Sequence, residues 1–182
     1  RLATFWVEHP QISLEVVPIP QRLAGRDIDA DIVISWDDIT AVNSQPLLTL
    51  TPFAIASPAF IKRFGRPNHP VDLVNMPLIH QRDTSSWTDW FAAMDVACVK
   101  PLKGPIFEDA NAVMRGAIEG QGVTLGWMPL IEHEIETGRV TQLFDQSVAW
   151  KKQYYVNVAS RGMRNSAAQS VVEWLHKEAR QG

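Results

Sequence analysis

The N-terminal part of the chain changes from a helical to a strand-like spacing of apolar side chains. Leu2, Phe5 and Trp6 are spaced i, i+3 and i+4, which places them on one face of a helix. A His-Pro step then disfavours further helix. Apolar and polar residues alternate over 12–16, and 32–34 is a short apolar run, so both segments predict strands.

Strand and helix patterns continue to alternate through the middle of the chain. The apolar stretch 47–57 predicts a long strand that leads into a helix capped by Ser57, with Pro58 in its first turn and Gly65 at its end. Aromatic residues at helical spacing over 87–94 predict an amphipathic helix. Shorter patterns predict strands at 78–80, 106–107, 123–125 and 140–144, and helices that begin after Asp109 and at Pro129.

The C-terminal part adds one strand and one helix. Residues 152–160 form a second long strand pattern, and an apolar stripe that includes Val171 and Leu175 predicts a closing helix. Alternating strands and helices are typical of the α/β class. No repeat with a period of about 20 to 50 residues occurs, and no low-complexity linker. If there are two lobes, we therefore expect the long strands 47–57 and 152–160 to join them.

Composition and charge restrict the functional classes. Hydrophobic residues make up 46% of the 182 residues and charged residues 20%, which is typical of a globular protein with a sizeable core. The formal net charge is -3 and the basic residues form no run. Because phosphate neutralisation requires a basic surface, we do not expect these residues to bind DNA tightly by themselves.

The chain also lacks the usual marks of secretion or membrane insertion. Cys98 is the only cysteine, which excludes an intrachain disulfide and favours a reducing compartment. No apolar run approaches the roughly 20 residues of a membrane span, and no signal segment opens the sequence. A cytoplasmic location without membrane contact is therefore expected.

Two consecutive segments in the middle of the chain carry a specific resemblance. Residues 104–111, Gly-Pro-Ile-Phe-Glu-Asp-Ala-Asn, are followed at 117–126 by Ala-Ile-Glu-Gly-Gln-Gly-Val-Thr-Leu-Gly. Their order of strand, capped helix, Gly-x-Gly turn and strand resembles the effector domain of LysR-type transcriptional regulators. The Trp-x-x-Trp helix adds a likeness to the branch of glycine-cleavage activators and β-lactamase regulators. Four other segments stand where that family places them: 5–14, 31–34, 53–60 and 138–144.

The resemblance implies two Rossmann-like lobes joined by two hinge strands, as in type II periplasmic-binding-protein-like folds. Residues 1–54 and 155–182 are expected to form lobe I, and residues 55–154 to form lobe II. Members of the family also have an N-terminal winged helix-turn-helix, a linker helix and a first strand of lobe I, which are absent from these residues. One wall of the effector pocket is therefore expected to be incomplete.

The resemblance also implies the partners. A small-molecule effector binds in the interlobe cleft, and homodimers or homotetramers form by pairing lobe I of one subunit with lobe II of the other. Promoter DNA is contacted only through the N-terminal domain. We therefore expect an effector-sensing domain that modulates transcription by shifting a conformational equilibrium, without a cofactor.

Ligands of open α/β sheets bind outside the carboxyl ends of the strands, where loops and helix N-termini converge. Four such positions supply candidate ligand-binding residues: Ser35 and Trp36, Gln81 and Arg82, Asp109 and Asn111, and Gly126 and Trp127. The forked donors of Arg82 favour an effector that bears a carboxylate. Each position also has a structural alternative: Trp36 and Trp127 as packing residues, Arg82 as a surface arginine, and Asp109 as a helix cap only.

Enzyme and metal-site patterns are weak by comparison. The turn 120–122, Gly-Gln-Gly, follows a helix and precedes a strand, which is the wrong context for a dinucleotide loop. The five histidines are scattered without zinc-ligand spacing, and Cys98 lacks an activating context. We therefore predict no catalytic residue and no metal site. Two alternatives to the regulator stay open: a solute-binding protein of a transporter and a two-lobed enzyme that acts on a small molecule.

Overall fold

The structure is a computed structural model that describes residues 2–17, 29–36, 43–97, 101–146, 148 and 151–180. It divides the chain into two compact units. Unit 1 comprises residues 1–49 and 152–182, and unit 2 comprises residues 50–151. The chain therefore passes between the units twice. The lobe boundaries predicted after residues 54 and 154 stay predictions.

The described residues form six α-helices and seven strands. The helices are α1 (Leu2–Glu8), α2 (Pro58–Phe64), α3 (Ser85–Ala93), α4 (Ala110–Ile118), α5 (Glu132–Glu136) and α6 (Ser166–Ala179). The strands are β1 (Ile32–Trp36), β2 (Ser44–Ala56), β3 (His80–Gln81), β4 (Ile106–Phe107), β5 (Thr124–Met128), β6 (Thr141–Gln142) and β7 (Lys152–Val158). Within this described part, the helices are too short or too polar to cross a membrane.

Unit 1 is organised around strand β7. This strand lies between β1 and β2 and is antiparallel to β1, with Val33 opposite Asn157. Helices α1 and α6 supply the apolar core. Phe5 of α1 is fully buried and meets Trp174 of α6 edge-on, with ring centroids 5.4 Å apart. Both helices therefore pack through one apolar face, as their helical spacing predicts.

The strand predicted over 12–16 is wrong, because residues 12–17 form no strand in the structure. Ile12 and Leu14 nevertheless pack against the Phe5 cluster, so the alternation does correspond to burial on one side. A strand also requires a neighbouring backbone, and this segment has no ladder partner among the described residues. Alternation therefore indicated that the segment is half-buried, but it could not show whether the segment has a pairing partner.

Unit 2 contains a mixed sheet covered by aromatic side chains. Strand β5 is antiparallel to β2, whereas β3 is parallel to β4. A parallel bridge between Leu78 and Val123 places β3 beside the start of β5. Helix α3 buries its two tryptophans and its phenylalanine, and the indole of Trp87 donates a 3.0 Å hydrogen bond to the carbonyl of Ile79. The predicted amphipathic helix is therefore confirmed.

The helix caps of unit 2 follow the sequence, but two predicted segments are shorter. The Ser57 hydroxyl accepts a 3.3 Å hydrogen bond from the backbone N–H of Phe60, and Gly65 ends α2 as predicted. Helix α5 begins at Glu132 and not at Pro129. Strand β6 covers only two residues of the predicted 140–144, because it pairs only with the last two residues of β2.

Candidate functional site

Three of the four predicted positions lie at one edge of unit 2. Strands β3 and β4 are parallel, and the Leu78–Val123 bridge aligns β3 in parallel with β5. The carboxyl ends of parallel strands meet at the same edge of a sheet. Gln81 ends β3, Asp109 follows β4, and Trp127 lies near the end of β5. The topology thus brings these predicted positions to a common edge.

Arg82 is held at this edge by its backbone. Its φ is +69°, and its N–H donates a 2.8 Å hydrogen bond to the carbonyl of Phe107 on β4. Its side chain is half-buried. The same strand ends contribute the carboxylates of Asp83, Glu108 and Asp109. Among the described residues, this edge therefore carries side chains of both charge signs.

Asp109 caps helix α4. Its Oδ1 accepts hydrogen bonds from the backbone N–H groups of Asn111 at 2.9 Å and Ala112 at 3.0 Å. These two amides, which would otherwise attract an anion, are therefore engaged by the protein's own carboxylate. The side chain of Asn111 is exposed on the first turn of the helix. At this position, the cap uses the side chain of Asp109 and not that of Asn111.

Gly126 and Trp127 lie on β5 and differ in their surroundings. A Cβ atom at Gly126 would lie 2.3 Å from Cδ1 of Ile131 and 2.8 Å from Cδ1 of Ile55. A side chain here would therefore force the ends of two buried isoleucine side chains to move, and only the backbone of Gly126 is available for a ligand. Trp127 is half-buried and, by strand alternation, its side chain lies on the opposite face of β5.

The fourth predicted position lies in unit 1. Trp36 is the last residue of β1, and its side chain lies outside the described part of the structure. Ser35 is half-buried, and its hydroxyl accepts a 2.9 Å hydrogen bond from Nδ2 of Asn157 on β7. The same amide nitrogen donates to the carbonyl of Val33 at 3.3 Å. Asn157 therefore holds Ser35 at the carboxyl end of β1.

Asn157 is a residue that the sequence reasoning missed. It is only 8% exposed, and its Oδ1 has no hydrogen-bond partner among the described residues. Because the Val33 carbonyl can only accept, the amide nitrogen must face β1 and the oxygen must face away. The signal in the sequence was an isolated amide in the otherwise apolar stretch Tyr-Tyr-Val-Asn-Val. A buried amide with an unused acceptor is costly unless it has a partner.

A double-mutant cycle tests the contact between Ser35 and Asn157. We expect Asn157→Ala to lower the free energy of unfolding by about 1 to 2 kcal/mol. Asn157→Ala and Ser35→Ala should show a coupling energy of about 1 kcal/mol, because the two side chains share one buried hydrogen bond. Urea denaturation of the two single variants and the double variant measures this coupling. Additive effects would mean that the hydroxyl and the amide do not interact.

Metal ligation has no support in the described residues. Within them, no group of three or more His, Cys, Asp or Glu side chains is placed to hold an ion. The candidate positions carry groups for hydrogen bonding, for ion pairing through Arg82 and for aromatic contact through Trp127.

Comparisons with known sequences place this geometry in context. A family profile described as LysR substrate binding domain matches residues 1–180. The chain is 29% identical over 177 residues to the HTH-type transcriptional activator AmpR of Rhodobacter capsulatus, covering 96% of the chain and 60% of that protein. It is 24% identical over 159 residues to the glycine cleavage system transcriptional activator of Escherichia coli K12, covering 86% of the chain and 52% of that protein. The chain thus spans about half to three fifths of these relatives.

Comparisons with solved structures support the fold. The effector domain of the regulator AmpR of Pseudomonas aeruginosa superposes with a TM-score of 0.79 at 22% identity, over 100% of this chain and 89% of that one. The regulatory domain of CrgA, a LysR-type regulator of Neisseria meningitidis, gives a TM-score of 0.79 at 18% identity, over 98% and 89%. The predicted two-lobed, periplasmic-binding-protein-like α/β fold is confirmed, and a transporter's solute-binding protein is not favoured.

Proposed function

Because the chain belongs to the family of LysR substrate-binding domains, we propose that it is the effector-sensing part of a bacterial DNA-binding transcriptional regulator. The observation that supports this proposal is the family match over residues 1–180, together with curated relatives that are transcriptional activators. In this proposal, promoter DNA is contacted by an N-terminal winged helix-turn-helix outside these residues. The net charge of -3 agrees with this assignment, because DNA binding requires a basic surface.

The proposed mechanism is a ligand-dependent shift between two arrangements. A small effector moves such an equilibrium only by the difference between its affinities for the two states, typically about 1 to 3 kcal/mol. Within unit 2, we propose Gln81, Arg82, Asn111 and Trp127 as effector contacts, with Asp109 and Gly126 contributing mainly through packing and backbone. Within unit 1, the proposed contacts are Ser35 and Trp36. The guanidinium of Arg82 pairs with a carboxylate on the effector.

The regulator works in the cytoplasm as a homodimer or homotetramer, and the effector is bound and released unchanged. The relatives named above are transcriptional regulators, which supports binding without turnover. Recovery of chemically unaltered ligand after prolonged incubation is the direct check on this point.

A ligand screen by thermal unfolding tests the proposed function. We expect one class among amino acids, aromatic acids and peptidoglycan fragments to raise the unfolding midpoint saturably. A ligand at about 100 times its Kd raises the free energy of unfolding by about 2.7 kcal/mol, which shifts the unfolding midpoint of a chain of this size by several degrees. Arg82→Ala should weaken binding of a carboxylate ligand at least about tenfold. Arg139→Ala, at an exposed position in the same unit, is the matched control and should leave the affinity for the carboxylate ligand unchanged.

A DNA readout separates regulation from simple binding. In the longer regulator, the ligand that stabilises this chain is expected to change occupancy of the promoter by about 5- to 150-fold, the usual range of allosteric coupling. A ligand that shifts thermal unfolding but leaves promoter occupancy unchanged would contradict the regulatory role. Conversion of the ligand to a product would favour the enzyme alternative.

A further inference from the structure

The hydroxyl of Ser35 lies beside a side-chain amide whose orientation is fixed. Val33 lies opposite Asn157 in the ladder between β1 and β7, so Val33, Ser35 and Asn157 share one face of the sheet. Nδ2 of Asn157 lies 3.3 Å from the Val33 carbonyl oxygen and 2.9 Å from the Ser35 hydroxyl oxygen. Because a carbonyl oxygen can only accept, the amide nitrogen is the atom that faces it. Asn157 is therefore the donor in both contacts.

This arrangement determines how the hydroxyl of Ser35 can be used. An amide nitrogen has two protons and accepts no hydrogen bond, whereas a hydroxyl has one proton and two lone pairs. Ser35 therefore accepts a hydrogen bond from Asn157 and cannot donate one to it. Among the described residues, the Ser35 proton has no acceptor. The hydroxyl thus keeps a proton that a bound acceptor would satisfy.

Ser35 is the accessible member of this pair. Asn157 is only 8% exposed and its Oδ1 is enclosed, whereas Ser35 is half-buried. Ser35 is also the last residue but one of β1, at the carboxyl end where ligands of open α/β sheets bind. A small molecule at this strand end can therefore reach the hydroxyl but not the amide.

An amide is a costly side chain at this position of β7. The preceding residue, Val156, is fully buried, and Oδ1 of Asn157 has no hydrogen-bond partner among the described residues. The backbone ladder already pairs β1 with β7 from Ile32 to Trp36, so the amide is not needed to join the strands. Replacing a buried hydrogen-bonded pair by apolar groups of the same shape is often nearly neutral for stability. The gain from Asn157 is therefore the direction that it gives to the Ser35 proton.

We propose that Asn157 is a positioning residue that fixes Ser35 as a hydrogen-bond donor, so that the end of β1 binds an acceptor oxygen of the effector, such as that of a carbonyl or carboxylate group. This inference rests on the proposed effector-sensing function and adds the polarity of the contact in unit 1. A ligand that offered only a donor here would leave the Ser35 proton unpaired, which lowers affinity. The pair thus selects ligands by the kind of atom that they present to β1.

The side-chain amide protons of Asn157 report the donor direction without a ligand. The two protons give separate NMR signals, and we expect both to be protected against exchange with water. Ser35→Ala should move the signal of one proton and leave that of the proton bonded to Val33 nearly unchanged. Ser35→Thr, which keeps the hydroxyl, should preserve both signals. If Ser35→Ala moves neither signal, Asn157 does not donate to Ser35 and the proposal fails.

Two probes with the same aromatic ring, benzoate and benzylamine, test the polarity of the site. Benzoate carries acceptor oxygens, whereas protonated benzylamine carries only donors. We expect the backbone amide signal of Trp36, next to Ser35, to shift saturably with benzoate and not with benzylamine. Ser35→Ala should weaken the benzoate binding measured at this signal by about three- to tenfold, the effect of one hydrogen bond.

Asn157→Leu distinguishes positioning from a general effect on structure. This variant removes both amide donors at similar size and should weaken benzoate binding about as much as Ser35→Ala does. Because Asn157 acts through Ser35, the double variant should bind benzoate no more weakly than Ser35→Ala alone. Additive losses would mean that Asn157 supports the strand end in general, and they would overturn the positioning role. If Asn157→Leu does not fold, the amide signals of Asn157 in Ser35→Ala decide this point.

A serine elsewhere in unit 1 provides the matched control. The Ser170 hydroxyl donates a 3.1 Å hydrogen bond to the Ser166 carbonyl within α6, so Ser170→Ala should change neither the Asn157 signals nor benzoate binding. A Trp36 shift with benzylamine in place of benzoate would overturn the proposal, as would unchanged benzoate affinity in Ser35→Ala. If neither probe shifts Trp36, the acceptor preference is also wrong. The proposed function is then still decided separately, by the thermal screen with its wider panel of ligands.

Discussion

Gly104→Ala is expected to lower the free energy of unfolding by about 4 kcal/mol, measured by urea denaturation. The φ of Gly104 is +154°, and an added Cβ would lie 1.9 Å from the Leu78 carbonyl oxygen and 2.9 Å from its carbon. These are backbone atoms of a buried residue, so they cannot turn aside as a flexible side chain can. Backbone strain and overpacking, each costing about 1 to 3 kcal/mol, therefore act together.

Gly65→Ala separates the two causes. Gly65 has a φ of +83°, but a Cβ there would meet nothing within 4 Å. This variant therefore has conformational strain without a steric clash, and we expect the free energy of unfolding to fall by only about 1 kcal/mol. Equal losses of unfolding free energy for the two variants would contradict the tight approach of Gly104 to the backbone of Leu78, because steric contact would then add nothing at Gly104.

Local sequence signals predicted most of the fold. The Ser57 and Asp109 caps, the glycine at the end of α2 and the aromatic spacing of α3 all correspond to observed structure. These features depend on residues within about one helical turn of each other, so a single sequence contains the required information. The α/β class follows from their order, since alternating strands and helices have few compact arrangements.

Pairing between distant segments was harder to predict. Alternation over 12–16 correctly indicated partial burial of Ile12 and Leu14, but it did not indicate that this segment has no ladder partner among the described residues. The 140–144 pattern was similarly longer than the stretch of β2 available to pair with β6. A strand depends on a neighbour far away in sequence, and periodicity does not report whether that neighbour is present.

The candidate site shows the same division between local and distant information. Strand ends and helix starts located Gln81, Arg82 and Asp109, because these positions follow directly from the element order. Asn157 was missed, because its importance depends on burial and on what lies beside it. An amide in a strand is unremarkable in sequence and becomes informative only when it is enclosed with an unpaired atom.

Phe5→Ala is expected to lower the free energy of unfolding by about 3 to 5 kcal/mol. Phe5 is 0% exposed, its ring meets Trp174 at 5.4 Å and His9 at 4.7 Å, and it joins α1 to α6. Helix α1 has only seven residues, too few to be stable without packing. Removing its one fully buried anchor should therefore release the helix as well as leave a cavity.

Urea denaturation measures the loss in Phe5→Ala, and hydrogen exchange shows whether α1 itself is released. Val7→Ala is the matched control on the same helix, because Val7 is 83% exposed and its truncation should change the free energy of unfolding by less than about 0.5 kcal/mol. In Phe5→Ala, the His9 amide, which donates a 2.8 Å hydrogen bond to Phe5, should lose its protection. If the His9 amide keeps its protection and the free energy of unfolding falls by less than about 1 kcal/mol, α1 does not depend on the contact between Phe5 and Trp174. The core of unit 1 would then be held by α6 alone.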